Sequence, residues 1–385
     1  MSIIRPAILA LEDSPIAEIW RIAQGVPGLI DMIAGEPDAP TPRFICDAAT
    51  KALEAGHTFY ADCRGIPPLR AALRRYLHRL YGVETADERL TVTSSGMGAV
   101  QLIAQAVLSP GDKAVAITPC WPNVVRAMQI SGAQVIEFPL GRGGNGWSLD
   151  LTELEAALTP DVRVLYVASP ANPTGWTIQP HEAKALLAMT RARGIALIAD
   201  EVYHRIVYDR PVSYSFLECA EPDDALFVVN SFSKSWAMPG WRLGWLIAPA
   251  GLSRTLEKLV QFNTSGAPAF LQYGAIAALE LGEPFITEFV GRCRNGRAIV
   301  SRRLAGMRQV REVANEGAFY AMFAVEGVTD MPALCKRLAE EAKIGVAPGS
   351  AFGRGAEGLL RLCYAKDGAL LEAAMDRLEA VVGRM

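Results

Sequence analysis

The sequence predicts an α/β fold in which a seven-stranded, mostly parallel sheet carries helices on both faces, followed by a smaller α+β domain. Between residues 89 and 247, seven short apolar runs alternate with segments of helical periodicity. Runs this apolar are typical of strands buried on both faces, as in parallel sheets covered by helices. After residue 283 the alternation ends and a long helix precedes short strand candidates, which indicates a second domain.

The individual elements follow from the spacing of apolar residues. The seven strands are predicted at residues 89–93, 113–118, 134–140, 162–168, 195–200, 226–229 and 243–247. The helices around them are predicted at 44–55, 69–80, 96–108, in the segment ending at 131, and at 151–158 and 181–193. The second domain is predicted to contain helices at 286–303 and 331–343 and strands at 319–325 and 358–364.

The length of 385 residues is enough for two domains with a large core. We assign residues 1–40 to an N-terminal arm and part of the small domain, and residues 41–282 to a large ligand-binding domain. Residues 283–385 form the small C-terminal domain in this division. Ser14, followed by a proline, predicts the start of a short helix within the arm.

Composition argues against several classes of protein. The net charge of -3 lacks the basic excess of a nucleic-acid-binding surface. The first twenty residues carry Glu12, Asp13 and Glu18, which is unlike a signal peptide, and no apolar run reaches membrane-spanning length. The seven cysteines are scattered and form no C-x-x-C pair. We therefore expect no disulfide framework, no metal site and a cytoplasmic location.

The most informative stretch is LFVVNSFSKSWAMPGWRLGW, at residues 226–245. An apolar strand ends there in small polar residues around Lys234. A lysine at a buried strand end is costly unless it is paired or neutral, and a neutral buried lysine suits Schiff-base formation. Ser231, Ser233 and Arg242 are suitable partners for a phosphate. Together they indicate pyridoxal 5'-phosphate (PLP), although a lone lysine of this kind can also point to solvent.

Three further strand ends carry polar loops, at the sheet edge where α/β proteins bind ligands. Ser95, Gly96 and Met97 run into a helix, whose N-terminus favours an anion; the alternative is a tight turn. Asn172 lies between two prolines and could face a ligand or belong to an ordinary turn. Asp200 ends an apolar strand, where it could pair with a pyridinium nitrogen or cap a helix.

These segments resemble those of the class I/II aminotransferases, which are fold-type-I PLP-dependent enzymes. The resemblance runs from Gly35-Glu-Pro-Asp to Arg361-Leu-Cys-Tyr-Ala and is most specific at Asn172-Pro-Thr-Gly and around Lys234. It implies an aminotransferase that moves the amino group of an L-amino acid to a 2-oxo acid. The implied mechanism is ping-pong and passes through pyridoxamine phosphate.

The resemblance also implies a role for each site residue. Lys234 would bind PLP as a Schiff base and move the proton, Asp200 would pair with the pyridine nitrogen, and Tyr203 would hold the ring hydroxyl. Arg361 would bind the substrate α-carboxylate with help from Asn172 and Gly35. The implied cofactor-binding set is Tyr60, Ser95, Gly96, Met97, Trp121, Asn172, Asp200, Tyr203, Ser231, Ser233, Lys234 and Arg242. Tyr60 would reach the phosphate of a neighbouring subunit, which implies a homodimer.

One position departs from part of this family. Several dicarboxylate-handling relatives carry a basic residue where Met97 stands, and methionine cannot bind a side-chain carboxylate. This favours apolar or aromatic substrates over aspartate, unless Arg64 substitutes for the missing basic group. Trp20 and Trp236 are further candidates for an apolar substrate pocket, and the alternative for each is a place in the ordinary core.

Two other functions remain open from the sequence. A PLP-dependent lyase that cleaves a C–S or other β-bond would share every cofactor residue, although the segment 240–245 looks more like aminotransferases. A catalytically silent PLP-binding regulator is the more distant alternative. Regulators of that kind usually carry a DNA-binding module, and we expect none here.

Overall fold

The computed structural model describes residues 3–144 and 146–385 and contains the predicted seven-stranded sheet. The strands are β1 (Leu90–Thr93), β2 (Lys113–Thr118), β3 (Gln134–Pro139), β4 (Val162–Ala168), β5 (Ala196–Asp200), β6 (Leu226–Ser231) and β7 (Gly244–Ile247). Their spatial order is β1-β7-β6-β5-β4-β2-β3. Strand β7 runs antiparallel to both neighbours, whereas the other described pairs in this sheet are parallel. The predicted α/β fold is therefore confirmed.

Both faces of this sheet are covered by helices. Along β2, Val115 and Ile117 join one hydrophobic cluster, while Ala114 and Ala116 join another. Alternate residues of a strand point to opposite faces, so each face has its own core. The helices of this region span Arg43–Glu54, Pro67–Tyr81, Gly96–Val107, Pro122–Ile130, Leu151–Ala157, Pro180–Arg193, Ser253–Asn263 and Ala269–Leu281. The last two were not predicted.

A glycine at the start of β7 brings two of the polar loops together. Gly244 pairs with Thr93 of β1 on one side and with Ser231 of β6 on the other. A Cβ atom on Gly244 would lie 2.7 Å from the Asn230 carbonyl oxygen and from the Gly96 nitrogen, closer than real side chains come. The absence of a side chain here therefore lets the loops after β1 and β6 lie side by side.

The C-terminal part contains a separate antiparallel sheet. Strand Tyr320–Val325 pairs with Val310–Val313 and with Leu360–Cys363, which in turn pairs with Ala347–Pro348. This confirms the strands predicted at 319–325 and 358–364. The helices of the arm and of the C-terminal part span Pro6–Leu9, Pro15–Gln24, Glu283–Gly306, Met331–Arg337 and Gly368–Val382.

Two details of the C-terminal part differ from the sequence prediction. The helix predicted at 331–343 is an α-helix only over Met331–Arg337 and continues as a π-helical turn over Leu338–Ala342. The final helix, Gly368–Val382, was not predicted. The arm is attached to this part of the molecule, because Ile30–Asp31 forms a parallel pair with Ile344–Gly345.

A hydrophobic cluster that also includes Tyr203 and Ile206 of the large region supports the C-terminal part. It joins Ile19 of the arm to Phe289, Leu360 and Leu378. This clustering supports the division into residues 1–40, 41–282 and 283–385, which stays a prediction. Residues 1 and 2 of the arm lie outside the described part of the chain. Within the described residues, no helix combines the length and the apolar character needed to cross a bilayer.

Candidate active site

A cavity of about 330 Å³ lies at the carboxyl ends of the central strands. Every residue of the implied catalytic, cofactor-binding and substrate-binding sets lines it, except Tyr60. These residues are Gly35, Ser95, Gly96, Met97, Trp121, Asn172, Asp200, Tyr203, Ser231, Ser233, Lys234, Arg242 and Arg361. The fold therefore collects groups that are up to 326 positions apart in the sequence, from Gly35 to Arg361.

Lys234 enters this cavity from a short helix that follows β6 directly. The helix spans Phe232–Ser235, and the Ser231 hydroxyl caps it by accepting a hydrogen bond from the Ser233 backbone nitrogen at 3.1 Å. The Lys234 Nζ donates to the carbonyl oxygen of Gly35 at 2.7 Å. Burial lowers the pKa of the Lys234 amine to about 8. A neutral, nucleophilic amine is therefore accessible close to neutral pH.

Asp200 closes β5 with its carboxylate in the same cavity. Its Oδ2 accepts a hydrogen bond from the Tyr166 hydroxyl at 2.9 Å, and its Oδ1 accepts one from the Val202 backbone nitrogen at 3.2 Å. Burial raises the pKa of the Asp200 carboxyl to about 6, against the opposing effect of the Tyr166 hydrogen bond. Turns rather than a helix follow β5, so Asp200 does not act as a helix cap.

The groups expected around a phosphate surround one end of the cavity. Ser95 is the N-cap of helix Gly96–Val107, and its Oγ accepts a hydrogen bond from the Gly98 nitrogen at 3.1 Å. The Ser231 and Ser233 hydroxyls lie 2.9 Å apart, and Arg242 remains exposed beside them. A helix N-terminus, hydroxyls and a guanidinium together form a site suited to a phosphate.

Arg361 is a buried cation at another wall of the cavity. Only 1% of it is exposed, and its guanidinium lies 4.6 Å from the Tyr320 ring centre and 4.8 Å from that of Phe352. Its Nη1 donates to the Asn172 Oδ1 at 3.2 Å, and its Nη2 donates to the carbonyl oxygen of Ile33. Among the described residues, no carboxylate pairs with it and its Nε has no partner. A buried guanidinium without a carboxylate partner is suited to binding an anionic ligand.

Comparison with known proteins identifies the family. The family described as aminotransferase class I and II matches residues 27–378. The chain belongs to this family. An aspartate aminotransferase of Pyrococcus horikoshii is 31% identical over 97% of this chain and 95% of its own length. Aromatic-amino-acid aminotransferase 2 of Thermococcus litoralis is likewise 31% identical, over 96% of this chain and 95% of its own.

The solved structures agree with the sequence relatives. A single mutant of Thermus thermophilus aspartate aminotransferase superimposes with a TM-score of 0.91 at 30% identity, covering 99% of this chain and 100% of that one. The protein is therefore a PLP-dependent aminotransferase of fold type I, as the resemblance implied. The cavity fits this cofactor, because Lys234, the phosphate-binding end and the Asp200 carboxylate all face one space.

Two tyrosines in the aminotransferase cavity were missed by the sequence analysis. Tyr166 donates to Asp200, and the Tyr320 hydroxyl lies 2.6 Å from the Tyr203 hydroxyl. Burial raises the pKa of Tyr203 well above that of free tyrosine, so its hydroxyl keeps its proton. Both missed residues lie inside apolar strand runs and therefore read as ordinary core. The sequence signal for both was a tyrosine hydroxyl within an apolar run, because a buried hydroxyl usually needs a hydrogen-bond partner.

Four residues considered from the sequence lie away from the cavity lining. Tyr60 is 93% exposed. Arg64 directs its guanidinium to the Asp87 backbone oxygen at 3.1 Å instead of lining the cavity. Trp236 is fully buried and packs against neighbouring aromatic rings, which agrees with the core alternative for this residue. Trp20 is 44% exposed on the arm helix. No group of three or more potential ligands for a metal ion occurs in the described residues.

Proposed function

We propose that this aminotransferase accepts apolar or aromatic L-amino acids and passes their amino group to a 2-oxo acid. The observation that carries the proposal is the placement of Lys234 and the unpaired Arg361 in one cavity. Lys234 provides an amine that is neutral close to pH 8, and Arg361 provides a fork of donors for a carboxylate. A cofactor-bound amino acid would need both groups within the same space.

Each of the proposed site residues has a separate role in the reaction. Bound PLP supplies the electron sink for the reaction. Lys234 would first hold the cofactor and, once displaced, would take the α-proton as a general base and deliver it to C4' of the cofactor. Asp200 would keep the ring nitrogen protonated, while Asn172 and Tyr203 would orient the ring hydroxyl. Bound to Arg361, the substrate presents its α-hydrogen to the lysine.

The composition of the cavity wall supports the substrate class. Among the described residues that line it, the cationic side chains are Lys234, Arg242 and Arg361. The proposed partners are the cofactor for Lys234, its phosphate for Arg242 and the substrate α-carboxylate for Arg361. Glu36 adds a negative charge to the wall. A second carboxylate on the substrate would therefore remain unpaired, whereas Met97 can pack against varied apolar groups. Overall identity does not decide the substrate, since the aspartate and aromatic relatives are equally similar.

We also propose that the active form is a homodimer with shared sites in a reducing cytoplasm. Tyr60 and the preceding Phe59 are 93% and 84% exposed, although large aromatic side chains are usually covered. The loop that carries them is anchored, because Arg70 donates to the Asp62 Oδ2 at 2.9 Å and to the Gly65 carbonyl oxygen. An ordered loop with exposed aromatics supports contact with a second subunit. The seven cysteines are all free thiols, which supports the compartment.

Half-reactions test this function against the lyase alternative. The purified enzyme, loaded with PLP, is mixed with L-phenylalanine or L-methionine in the absence of any 2-oxo acid. An aminotransferase releases one equivalent of 2-oxo acid per site and stops until a 2-oxo acid is added. A β-lyase needs a leaving group on the β-carbon, so L-cystathionine is tested as well. Continuous release of pyruvate and ammonia from L-cystathionine, with no stoichiometric 2-oxo acid from L-phenylalanine or L-methionine, would overturn the proposal. Lys234→Ala serves as the control and should show neither behaviour.

A further inference from the structure

The hydrogen bond between Tyr166 and Asp200 crosses two neighbouring strands. Tyr166 lies in β4 opposite Ile198 of β5, and Asp200 lies two residues further along β5, opposite Ala168. The phenol therefore reaches along the sheet to its carboxylate partner, and its Oη lies 2.9 Å from the Asp200 Oδ2. Tyr166 is completely buried from solvent, yet it contributes to the cavity lining.

The two oxygen atoms of Asp200 each accept a hydrogen bond from one protein donor. Val202 donates its backbone N–H to Oδ1, and Tyr166 donates its hydroxyl to Oδ2. An ionised carboxylate has about four lone-pair sites, so each oxygen keeps capacity for a further donor. Two donors from two different elements fix both the position and the rotation of the carboxylate. Since Asp200 lines the cavity, the remaining capacity is available to a ligand bound there.

We propose that Tyr166 is a positioning residue that orients Asp200 and strengthens its pairing with the ring nitrogen of the cofactor. The proposal rests on the proposed role of Asp200. A hydrogen bond to the ionised form of a carboxyl group stabilises that form. Burial favours the protonated form instead. The two effects together place the pKa of Asp200 at about 6, so the carboxylate is charged at neutral pH. The other titratable groups whose charges act on Asp200 or its tyrosine are Lys234, Cys120, Glu201 and Tyr203.

Loss of the Tyr166 hydroxyl has a defined direction. Tyr166→Phe keeps the ring but leaves Asp200 with the Val202 donor alone, so the pKa of Asp200 moves further upward. The protonated acid then becomes a larger fraction at neutral pH and pairs less well with a protonated ring nitrogen. The acid limb of the kcat profile should shift to higher pH. We expect kcat at neutral pH to fall by roughly tenfold to hundredfold, the range for a lost hydrogen bond to a charged group.

The experiment compares Tyr166→Phe with Tyr364→Phe. Tyr364 is equally buried, and its hydroxyl bonds to that of Tyr208 at 3.1 Å, outside the cavity lining. PLP affinity is measured by titrating the cofactor-free proteins, and the pH dependence of the visible absorption band is recorded. Tyr166→Phe should bind PLP more weakly and shift the band's pH midpoint, while Tyr364→Phe should do neither. With 1-deaza-PLP, which has no ring nitrogen, the Tyr166→Phe defect in affinity should disappear.

The outcomes separate this inference from the proposed function. Asp200→Asn is measured in parallel with both cofactors. If Asp200→Asn impairs PLP binding and turnover while Tyr166→Phe behaves like Tyr364→Phe, the role of Tyr166 is overturned and that of Asp200 stands. If Asp200→Asn changes neither PLP binding nor turnover, the proposed role of Asp200 is wrong. The inference about Tyr166 rests on that role and is then overturned with it. A Tyr166→Phe defect of equal size with 1-deaza-PLP would also overturn the inference, because it would not act through the ring nitrogen.

Discussion

The Lys234 amine donates a hydrogen bond to the Gly35 carbonyl oxygen at 2.7 Å across 199 positions of sequence. This contact joins the arm to the stretch that follows β6. The carbonyl oxygen is an acceptor for the neutral amine as well as for the ammonium group, so it holds Lys234 in place without requiring the charge. Desolvation then lowers the pKa of Lys234. The arm therefore contacts Lys234 as well as pairing with the C-terminal part through Ile30–Asp31.

The first prediction concerns the pH at which Lys234 reacts. Because only the neutral amine attacks an aldehyde, cofactor-free enzyme should bind PLP with a rate that is half-maximal near pH 8. An exposed lysine would require a pH near its ordinary pKa of about 10.4. Stopped-flow measurement of the visible absorption band gives the rate, and borohydride reduction followed by peptide mapping identifies the lysine. Label on another lysine would contradict the assignment.

The second prediction concerns the charge of Asp200. Asp200→Ala should retain some PLP but lose two to three decades of kcat, since removal of one partner of a buried charge pair costs roughly 3–5 kcal/mol. Steady-state kinetics and a cofactor titration on the same preparation separate the two effects. Near-normal turnover in a folded variant would show that the ring nitrogen does not depend on this carboxylate.

A third prediction uses the close approach of Gly35 to Tyr320. A Cβ atom on Gly35 would collide with the Tyr320 hydroxyl and lie 3.1 Å from the ring carbon that carries it. Gly35→Ala should therefore displace Tyr320, which packs on Arg361, and raise KM for the amino acid more than it lowers kcat. Adding Tyr320→Phe removes the hydroxyl and should restore part of the loss. If the double variant is no better than Gly35→Ala, the collision is not the cause.

The sequence predicted the large sheet and most of the site for the same physical reason. Polar residues such as Asp200 and Lys234 stand out where an apolar strand ends, and parallel strands bring their carboxyl ends to one edge. Tyr166 could not be recognised in this way, because a tyrosine inside an apolar run reads as core. Its role depends on an Asp200 carboxylate from a neighbouring strand, and that proximity is a property of the folded sheet.

The missed helices have different explanations. Helix Ala269–Leu281 is apolar around most of its circumference, so it lacks the one-sided pattern that identifies a surface helix. Helix Ser253–Asn263 is amphipathic, with Leu256 and Val260 buried on one face, and could have been found from its spacing. The π-helical end of the helix predicted at 331–343 has no comparable sequence signal.

The fourth prediction tests the shared sites of a homodimer. If Tyr60 serves the neighbouring site, the Lys234→Ala and Tyr60→Ala defects fall on the same site of a hybrid dimer, so the other site stays intact. Mixing the two inactive variants should restore activity. Mixing Lys234→Ala with Asp200→Ala is the control and should restore none, because each of these defects remains in the site of its own subunit. A fully active monomer in sedimentation would contradict the prediction.

The last prediction concerns the choice of amino acid. In the proposed function Arg361 binds the α-carboxylate of every substrate, so it cannot discriminate among them. Burial of a large apolar side chain against a neutral wall contributes about 1.5–3 kcal/mol, whereas an aspartate carboxylate would remain unpaired there. We expect kcat/KM to be higher for L-phenylalanine, L-methionine and L-leucine than for L-aspartate, with one common 2-oxo acid.

Replacing Met97 tests whether this position determines the preference. Met97→Lys places a cation in the cavity wall and should raise kcat/KM for L-aspartate while lowering it for L-phenylalanine. Met97→Leu is the matched control, because it keeps the wall apolar at similar volume and should leave the ranking unchanged. If L-aspartate is the best donor of the unaltered enzyme, a basic group from outside the described cavity lining must bind it. The inference from Met97 would then be wrong.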